Sequence, residues 1–169
     1  MVDEELEPTS AELTASEEAA FWEALSQRSS IIQDGFSFWN SLREGQALPR
    51  RDIFDPFDVP KLMPHIVLLD VQDNPTDFKY RVIGTFVSEH LAENWTGFWM
   101  SEIEHQKSPS RIWESCEHVA VTRNPLLSRI PYVGPHADFL YGEDIILPLV
   151  DEEDKIVNLL VFVSYIRKE

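Results

Sequence analysis

The chain has 169 residues, of which 43% are hydrophobic and 11% aromatic, a composition typical of one globular domain with an appended segment. Fourteen basic residues stand against thirty acidic ones, which gives a formal net charge of −16. Such a surface repels phosphate backbones and anionic lipid headgroups, so we expect neither nucleic acid nor membrane among its partners.

The N-terminal residues are acidic and lack the features of a targeting signal. Eight acidic residues and no Lys or Arg fall within residues 1–27, and residues 1–13 are predicted to form a disordered, solubilising tail. A secretory signal needs a basic start and an apolar stretch, and this segment has neither. No apolar run approaches the roughly 20 residues needed to cross a bilayer, and the single cysteine, Cys116, suits a reducing compartment. We therefore expect a cytoplasmic protein.

Residues 14–46 are predicted to form a helical extension. Thr14 with Glu17, or Ser16 alone, can cap its first helix. Apolar side chains recur at heptad-like spacing, and Gly35 is expected to split or bend the helix. Two interpretations of this stripe remain open: it packs on the chain's own sheet, or it forms the seam of a homodimer, which is the predicted assembly. The stripe consists of Phe21, Leu25, Ile32, Trp39 and Leu42.

The segment from residue 48 to residue 85 predicts extended chain followed by a β-hairpin. Four prolines between positions 49 and 64 would break a helix, so this part is expected to form extended chain and short turns. Strand-like runs follow at Ile66–Gln72 and Phe78–Ile83, divided by turn residues. The second run alternates apolar and charged side chains, which is typical of a peripheral strand with one covered face. Its covered side chains would be Phe78, Tyr80 and Val82.

The remainder of the chain predicts a short helix, a longer helix and three strands. The short helix is expected over Val87–Leu91. The longer one begins near Ser108, its predicted N-cap, and turns Cys116 and Val119 inward. Because the last strand is apolar on both faces, it should lie in the interior of the sheet, covered on each side. The three strands are predicted at Leu126–Tyr132, Phe139–Val150 and Ile156–Ile166.

Five short motifs along the chain resemble those of a known family. They are LPRRDIFDP, LMPHIVLLDV, FKYRVIGT, NWTG and LPLV. In these motifs the chain resembles the PAS-like sensor domains that occur as short, single-domain bacterial proteins, and the resemblance covers residues 38–166. It implies an α+β fold, with a five-stranded antiparallel sheet, helices on one face, and the last strand central beside the first. Residues 47–169 would form this domain, preceded by the helical extension.

The sequence contains no motif of a metal, cofactor or catalytic site. Phosphate-binding loops, the GxSxG elbow and the HExxH zinc motif are absent, and the five histidines show no ligand spacing. His118 lies about where some PAS domains hold haem, but it is expected at the border of the helix face that carries Cys116. Cys116 itself lies in WESCEHV, which does not match the flavin-binding motif of PAS photosensors. We therefore predict no metal, no haem, no flavin and no enzymatic activity.

A charged segment near residue 50 has two interpretations. It could form a catalytic carboxylate set, or a charge-paired latch in which acidic side chains order turns. The latch is favoured, because Asp before Pro often orders a turn. Arg81 is expected to bridge the sheet edge to this segment. The segment contains Arg50, Arg51, Asp52, Asp55 and Asp58.

Trp95, Phe98, Trp99 and Trp113 give the region between the second and third strands an unusual density of aromatic rings. In PAS domains this region covers a pocket. These rings, with Phe162 of the last strand, are therefore the predicted lining of a cavity for a small hydrophobic or planar ligand. The alternative is that they fill a solid core. The resembling family usually has a basic residue after the TG pair, where this chain has Phe98, so an anion contact is not expected there.

The predicted function is a sensory, ligand-binding or protein-interaction module without its own catalytic output. No kinase, cyclase or DNA-binding segment is visible, so a signal would pass to a separate output protein or through a dimer interface. The alternative is a small enzyme or a hydrophobic-ligand carrier that uses the same pocket. A polar residue deep in an otherwise apolar cavity would favour the enzyme.

Overall fold

The computed structural model describes residues 13–131, 136 and 138–167. The acidic tail predicted over residues 1–13 therefore lies outside the described residues, except for Leu13, which is exposed. The predicted strand end at Tyr132 also lies outside them.

Five antiparallel strands form one sheet. The strands are β1 (Ile66–Gln72), β2 (Asp77–Ile83), β3 (Leu126–Pro131), β4 (Phe139–Val150) and β5 (Ile156–Arg167). Their order is β2-β1-β5-β4-β3, so the last strand lies centrally beside the first, as the resemblance implies. This arrangement confirms the predicted α+β fold. It also explains why β5 is apolar on both faces, since each face is covered by helices.

Helices cover both faces of the sheet. They are α1 (Ala15–Ser26), α2 (Ser30–Ser41), α3 (Thr85–Ser88) and α4 (Arg111–Thr122). The N-terminal pair, α1 and α2, covers one face, whereas α3 and α4 lie on the other. None of the helices in the described ranges is long and apolar enough to span a membrane.

The N-terminal extension begins at the predicted cap. The hydroxyl of Thr14 accepts a hydrogen bond from the backbone N–H of Glu17 at 3.1 Å, and the Glu17 carboxylate accepts one from the N–H of Thr14 at 2.9 Å. The break between the two helices falls at residues 27–29, where Ser29 precedes α2. Gly35 lies buried inside the continuous helix α2, so the expected split at Gly35 is wrong.

The apolar stripe of the extension packs on the chain's own sheet. Ile32 is 0% exposed and Trp39 2% exposed, and the Trp39 indole N–H donates to the carbonyl of Pro148 on β4 at 3.0 Å. These side chains have no surface left for a second chain. Phe21 and Leu42, at the two ends of the stripe, are only half-buried, so a homodimer through the N-terminal helices stays a prediction.

A β-bulge changes the face on which the end of β2 lies. Leu69 pairs with Tyr80 but Leu68 pairs with Val82, which leaves Arg81 as an extra residue on β2. An extra residue reverses the alternation beyond it. Tyr80 is therefore buried as predicted, whereas Val82 is 42% exposed and the prediction that Val82 is covered is wrong. Ile83 takes its place on the inner face.

Two helix boundaries differ from the predicted ones. The N-cap of α4 is Ser110, not Ser108: its hydroxyl accepts a hydrogen bond from the N–H of Trp113 at 3.1 Å. The hydroxyl of Ser110 also donates to the carbonyl of Gln106 at 2.5 Å, which ties the start of α4 to the preceding loop. The short helix α3 begins at Thr85, two residues before its predicted start.

Candidate functional site

A cavity of about 360 Å³ lies between the sheet and helices α3 and α4. This volume falls within the range of cavities that hold small organic ligands, about 300–1,000 Å³. All five strands and both helices contribute to its wall. Most of the wall is apolar, and its aliphatic side chains include Val67, Leu69, Val87, Ile146, Val161 and Val163.

Strand alternation and helix spacing bring these side chains together. On β5, Val161 and Val163 face the cavity, while Phe162 between them faces α2. On α4, Ile112 and Cys116 are four residues apart and so share the inward face. Cys116 is 0% exposed, and burial raises the pKa of its thiol well above the ordinary value. The group in the cavity wall is thus a neutral thiol.

Asp144 on β4 is a carboxyl group in this mostly apolar wall. It is 9% exposed, and it accepts a hydrogen bond of 2.6 Å from the hydroxyl of Ser128, its cross-strand neighbour on β3. Burial raises the pKa of Asp144, because the charged form loses its hydration, while the Ser128 hydrogen bond and the positive charges of Arg111 and Arg28 act in the opposite direction. Burial is the largest of these effects.

Tyr80 adds a second polar group to the wall. Its hydroxyl donates to the side-chain oxygen of Gln106 at 2.5 Å, and the ring is 7% exposed. Burial raises the pKa of the Tyr80 hydroxyl above its ordinary value. Tyr80, Cys116 and Asp144 interact electrostatically, so ionisation of Asp144 would further disfavour ionisation of the other two.

None of the five predicted pocket residues lines this cavity. Trp113 on α4 is buried and packs edge-on against Phe78, with ring centroids 5.3 Å apart. Phe162 is fully buried on the opposite face of the sheet, against Gly35. Both side chains therefore fill the core, which was the alternative interpretation.

The other three predicted residues form a group near the edge strand β2. Trp95 and Phe98 make an edge-to-face contact at 5.8 Å, and Phe98 is 45% exposed. Trp99 is half-buried, with the ammonium of Lys79 5.7 Å from its ring centroid. The backbone N–H of Tyr80 donates to the carbonyl of Phe98 at 3.0 Å, so this loop covers part of the β2 edge. The three rings are absent from the wall of this cavity, and the backbone of the loop that carries them pairs with the edge of β2.

The charged segment near residue 50 forms surface contacts. Arg50 pairs with Asp52 and with Glu152 at 3.2 Å, and the Asp55 carboxylate caps the N–H of Phe57 at 2.9 Å. These contacts match the latch interpretation. The expected contact between Arg81 and this segment is not formed. Arg81 pairs instead with Asp70 on the neighbouring strand β1 at 2.9 Å.

Histidines and aromatic rings gather beyond one end of the cavity. His65 lies 4.2 Å from the ring of Phe86, and His90 stacks on Tyr165 at 4.3 Å. His65 Nδ1 is 2.9 Å from the carbonyl oxygen of Val163, and burial lowers the pKa of His65. Within the described residues no three His, Cys, Asp or Glu side chains are grouped as a metal site would require. His118 is exposed on α4, away from the cavity wall.

The sequence carries a signal for Asp144 that is not part of any known motif. Glu143 and Asp144 are consecutive in a predicted strand, so their side chains must point to opposite faces. If both faces of the sheet are covered, each carboxylate is buried and needs a partner. The acidic pair before the apolar run IILPLV therefore indicates a special site on each side of β4.

The sequence model of the PAS domain family matches residues 27–163, which is more than half of the chain. The chain belongs to the PAS domain family. This membership supports a sensory role for the protein. Among solved structures, the PAS fold described here is similar to that of a sensory box sensor histidine kinase from Vibrio cholerae, with a TM-score of 0.47 and 12% sequence identity. That match covers 66% of this chain and 92% of the other. None of the curated proteins compared with this PAS chain matches it.

Proposed function

We propose that this PAS domain is a ligand-responsive sensory module whose cavity binds a small, largely apolar molecule without chemical conversion. The observation that carries the proposal is the 360 Å³ cavity with a mostly aliphatic wall. A ligand that fills such a space gains roughly 25 cal/mol for each Å² of apolar surface removed from water, before the costs of association.

The polar groups of the wall favour binding over catalysis. The Cys116 thiol is kept neutral by burial, and the Tyr80 hydroxyl is already engaged with Gln106. A nucleophile needs a neighbouring base within hydrogen-bond reach. In the cavity wall the Ser128 hydroxyl has such a neighbour, the Asp144 carboxylate at 2.6 Å, and an enzyme would have to use this pair. The alternative of a small enzyme has one observation in its favour, the buried carboxyl of Asp144, which could act as an acid or base. A carrier would use the same cavity.

Strands β4 and β5 connect the cavity to the N-terminal helices. Val161 and Val163 face the cavity, and Phe162 between them packs on Gly35 of α2. On β4, Asp144 faces the cavity, while the Glu143 carboxylate accepts a hydrogen bond of 3.1 Å from the backbone N–H of Ser29. A ligand that shifts these strands would move α2 and the junction before it. This is the proposed route by which ligand state reaches a separate output protein in the cytoplasm.

A homodimer remains part of the proposal, with a different surface from the buried stripe. Trp22 on α1 is 48% exposed, although its ring makes an edge contact with Phe36 at 5.3 Å. A second copy that packed on this face of α1 would bury Trp22 and sense movements of α2 through Phe36. Sedimentation at tens of micromolar, an order-of-magnitude range for weak association, would detect such a dimer.

Native mass spectrometry of protein isolated from its natural host tests ligand binding. We expect a bound small molecule in the wild type. The Val161→Phe variant should lose it, because the larger ring fills the cavity. The Val121→Phe variant should retain it, because Val121 lies on the exposed face of α4. Thermal unfolding of each variant checks that the fold is kept. Absence of a bound molecule from the wild type, together with no binding of small aromatic probes, would contradict the proposal. Recovery of a chemically converted molecule would favour the enzyme.

A further inference from the structure

We infer that the ligand of this cavity carries one protonated amine on an otherwise apolar body, and that the amine binds the carboxylate of Asp144. This inference rests on the proposed function, because it specifies what the cavity binds. Two neighbouring carboxylates on β4, those of Glu143 and Asp144, differ in the hydrogen-bond and ion-pair partners that the protein supplies.

Glu143 is buried and fully engaged within the protein. It is 1% exposed, and its carboxylate accepts hydrogen bonds from Nε of Arg129 at 3.2 Å and from the backbone N–H of Ser29 at 3.1 Å. A buried carboxylate with a cationic partner and a second donor is compensated for its lost hydration. The fold thus supplies Glu143 with what a buried carboxylate requires.

Asp144 has no such compensation within the described chain. Among the described residues its single hydrogen-bond donor is the neutral hydroxyl of Ser128, and none of their Lys, Arg or His side chains forms an ion pair with it. An ionised carboxylate has about four lone-pair sites, so most of its acceptor capacity faces the cavity. Burying a charge without a partner is costly, and a ligand that supplies the partner offsets that cost.

Two positive charges, those of Arg111 and Arg28, act on Asp144 without forming an ion pair with it. Arg111, at the start of α4, also lines the cavity, but its Nη2 donates to the carbonyl of Arg129 at 2.9 Å. Arg28 acts on Asp144 from the opposite side of the sheet. The remaining titratable groups of the wall are Tyr80, Cys116, Tyr165 and the exposed His105. Burial raises the pKa of the Tyr80 hydroxyl and of the Cys116 thiol, so both are neutral near pH 7. The net charge of −16 also raises the local concentration of cations over that of anions.

Four probes built on one 2-phenylethyl body test the inference by protein-observed NMR titration at pH 7: propylbenzene, 2-phenylethanol, 2-phenylethylammonium and the somewhat larger 3-phenylpropanoate. They share one apolar body and differ only in the terminal group. We expect the ammonium probe to bind at least tenfold more tightly than propylbenzene, and the carboxylate probe to bind most weakly. In Asp144→Asn, which keeps the side-chain shape and an acceptor for Ser128, the preference for the ammonium probe should disappear. The matched variant Glu117→Gln, which removes a charge from the exposed face of α4, should keep the preference.

The possible outcomes separate this inference from the proposed function. If none of the probes shifts resonances of the cavity wall, the proposed cavity binding fails and the inference fails with it. If propylbenzene or 2-phenylethanol binds as tightly as the ammonium probe, the cavity binds ligands but the amine is not selected, and only the inference is overturned. A preference that survives in Asp144→Asn, or is lost equally in Glu117→Gln, would overturn it as well, since the selection would then come from overall charge.

Discussion

The ring of Phe162 on β5 occupies the space that a side chain at Gly35 of α2 would need. A Cβ atom built on Gly35 would lie 2.5 Å from Cγ of Phe162, far inside van der Waals contact. The same strand segment exposes Val161 and Val163 to the cavity on the other face. Because Gly35 has no side chain, α2 can approach β4 and β5, which line the cavity with their other face.

The Gly35→Ala variant tests this close approach. Ala is the better helix former by about 1 kcal/mol, so the change would stabilise a helix with free space beside it. Here we expect overpacking to win and the free energy of unfolding to fall by about 1–3 kcal/mol, measured by urea denaturation. In a Phe162→Leu background the same change should cost less, because the ring is gone. Equal costs in both backgrounds would show that Phe162 is not the obstacle.

Much of the fold was predictable because its signals are local. The strands Ile66–Gln72 and Phe139–Val150 begin and end where their apolar patterns do, and the Thr14 cap depends on residues three apart in sequence. The central position of β5 followed from apolar side chains on both of its faces. Each of these features is encoded in a short segment.

The lining of the cavity was not predictable from such signals. Alternation separates Phe162 from Val161, but which of them faces the cavity depends on whether α2 or α4 covers that face, and those helices are distant in sequence. The aromatic density around Trp99 gave no information on the direction of the rings, and the loop that carries them pairs with the edge strand β2. Asp144 was recognisable only after both faces of β4 were known to be covered.

Because of the bulge at Arg81, Val82 and Ile83 lie on the opposite faces of β2 from those that simple alternation predicts. Ile83 lines the cavity, whereas Val82 is 42% exposed on the other side of β2. We expect Val82→Ser to change the free energy of unfolding by about 0.5 kcal/mol or less, as at an ordinary surface site. Ile83→Ser should cost more, about 1–3 kcal/mol, because it removes buried apolar surface. Chemical denaturation of both variants decides between the two registers, and a larger cost at Val82 would refute the bulge.

Two tryptophans that the sequence placed in one cluster should behave differently. Trp113 is 7% exposed and packs on Phe78, so Trp113→Ala should cost about 3–5 kcal/mol. Trp99 is half-buried, and Trp99→Ala should cost about 1 kcal/mol, largely from the lost contact with Lys79. Because Trp99 does not border the cavity, its removal should leave the affinity for propylbenzene unchanged. A change of affinity in Trp99→Ala would restore the original assignment of this ring to the pocket.

Asp144 should lower the stability of the protein as the pH rises. Its folded-state pKa is raised by burial, so the folded state holds a proton that the unfolded chain releases above about pH 4. The contribution of Asp144 to stability is therefore complete below the unfolded pKa and is lost as the pH rises through the folded pKa. Asp144→Asn has no such ionisation, and its amide oxygen can still accept the hydrogen bond from Ser128.

We expect Asp144→Asn to gain stability relative to the wild type as the pH increases from about 4 to 7, measured by urea denaturation at each pH. The Glu117→Gln variant removes the same charge from an exposed site and serves as the control. A constant difference between Asp144→Asn and the wild type would contradict the raised pKa, and the same trend in Glu117→Gln would assign the effect to net charge. A carboxyl group that costs stability at neutral pH is kept for something other than folding, and an amine probe that restores the stability of the wild type but not of Asp144→Asn would identify that role as ligand binding.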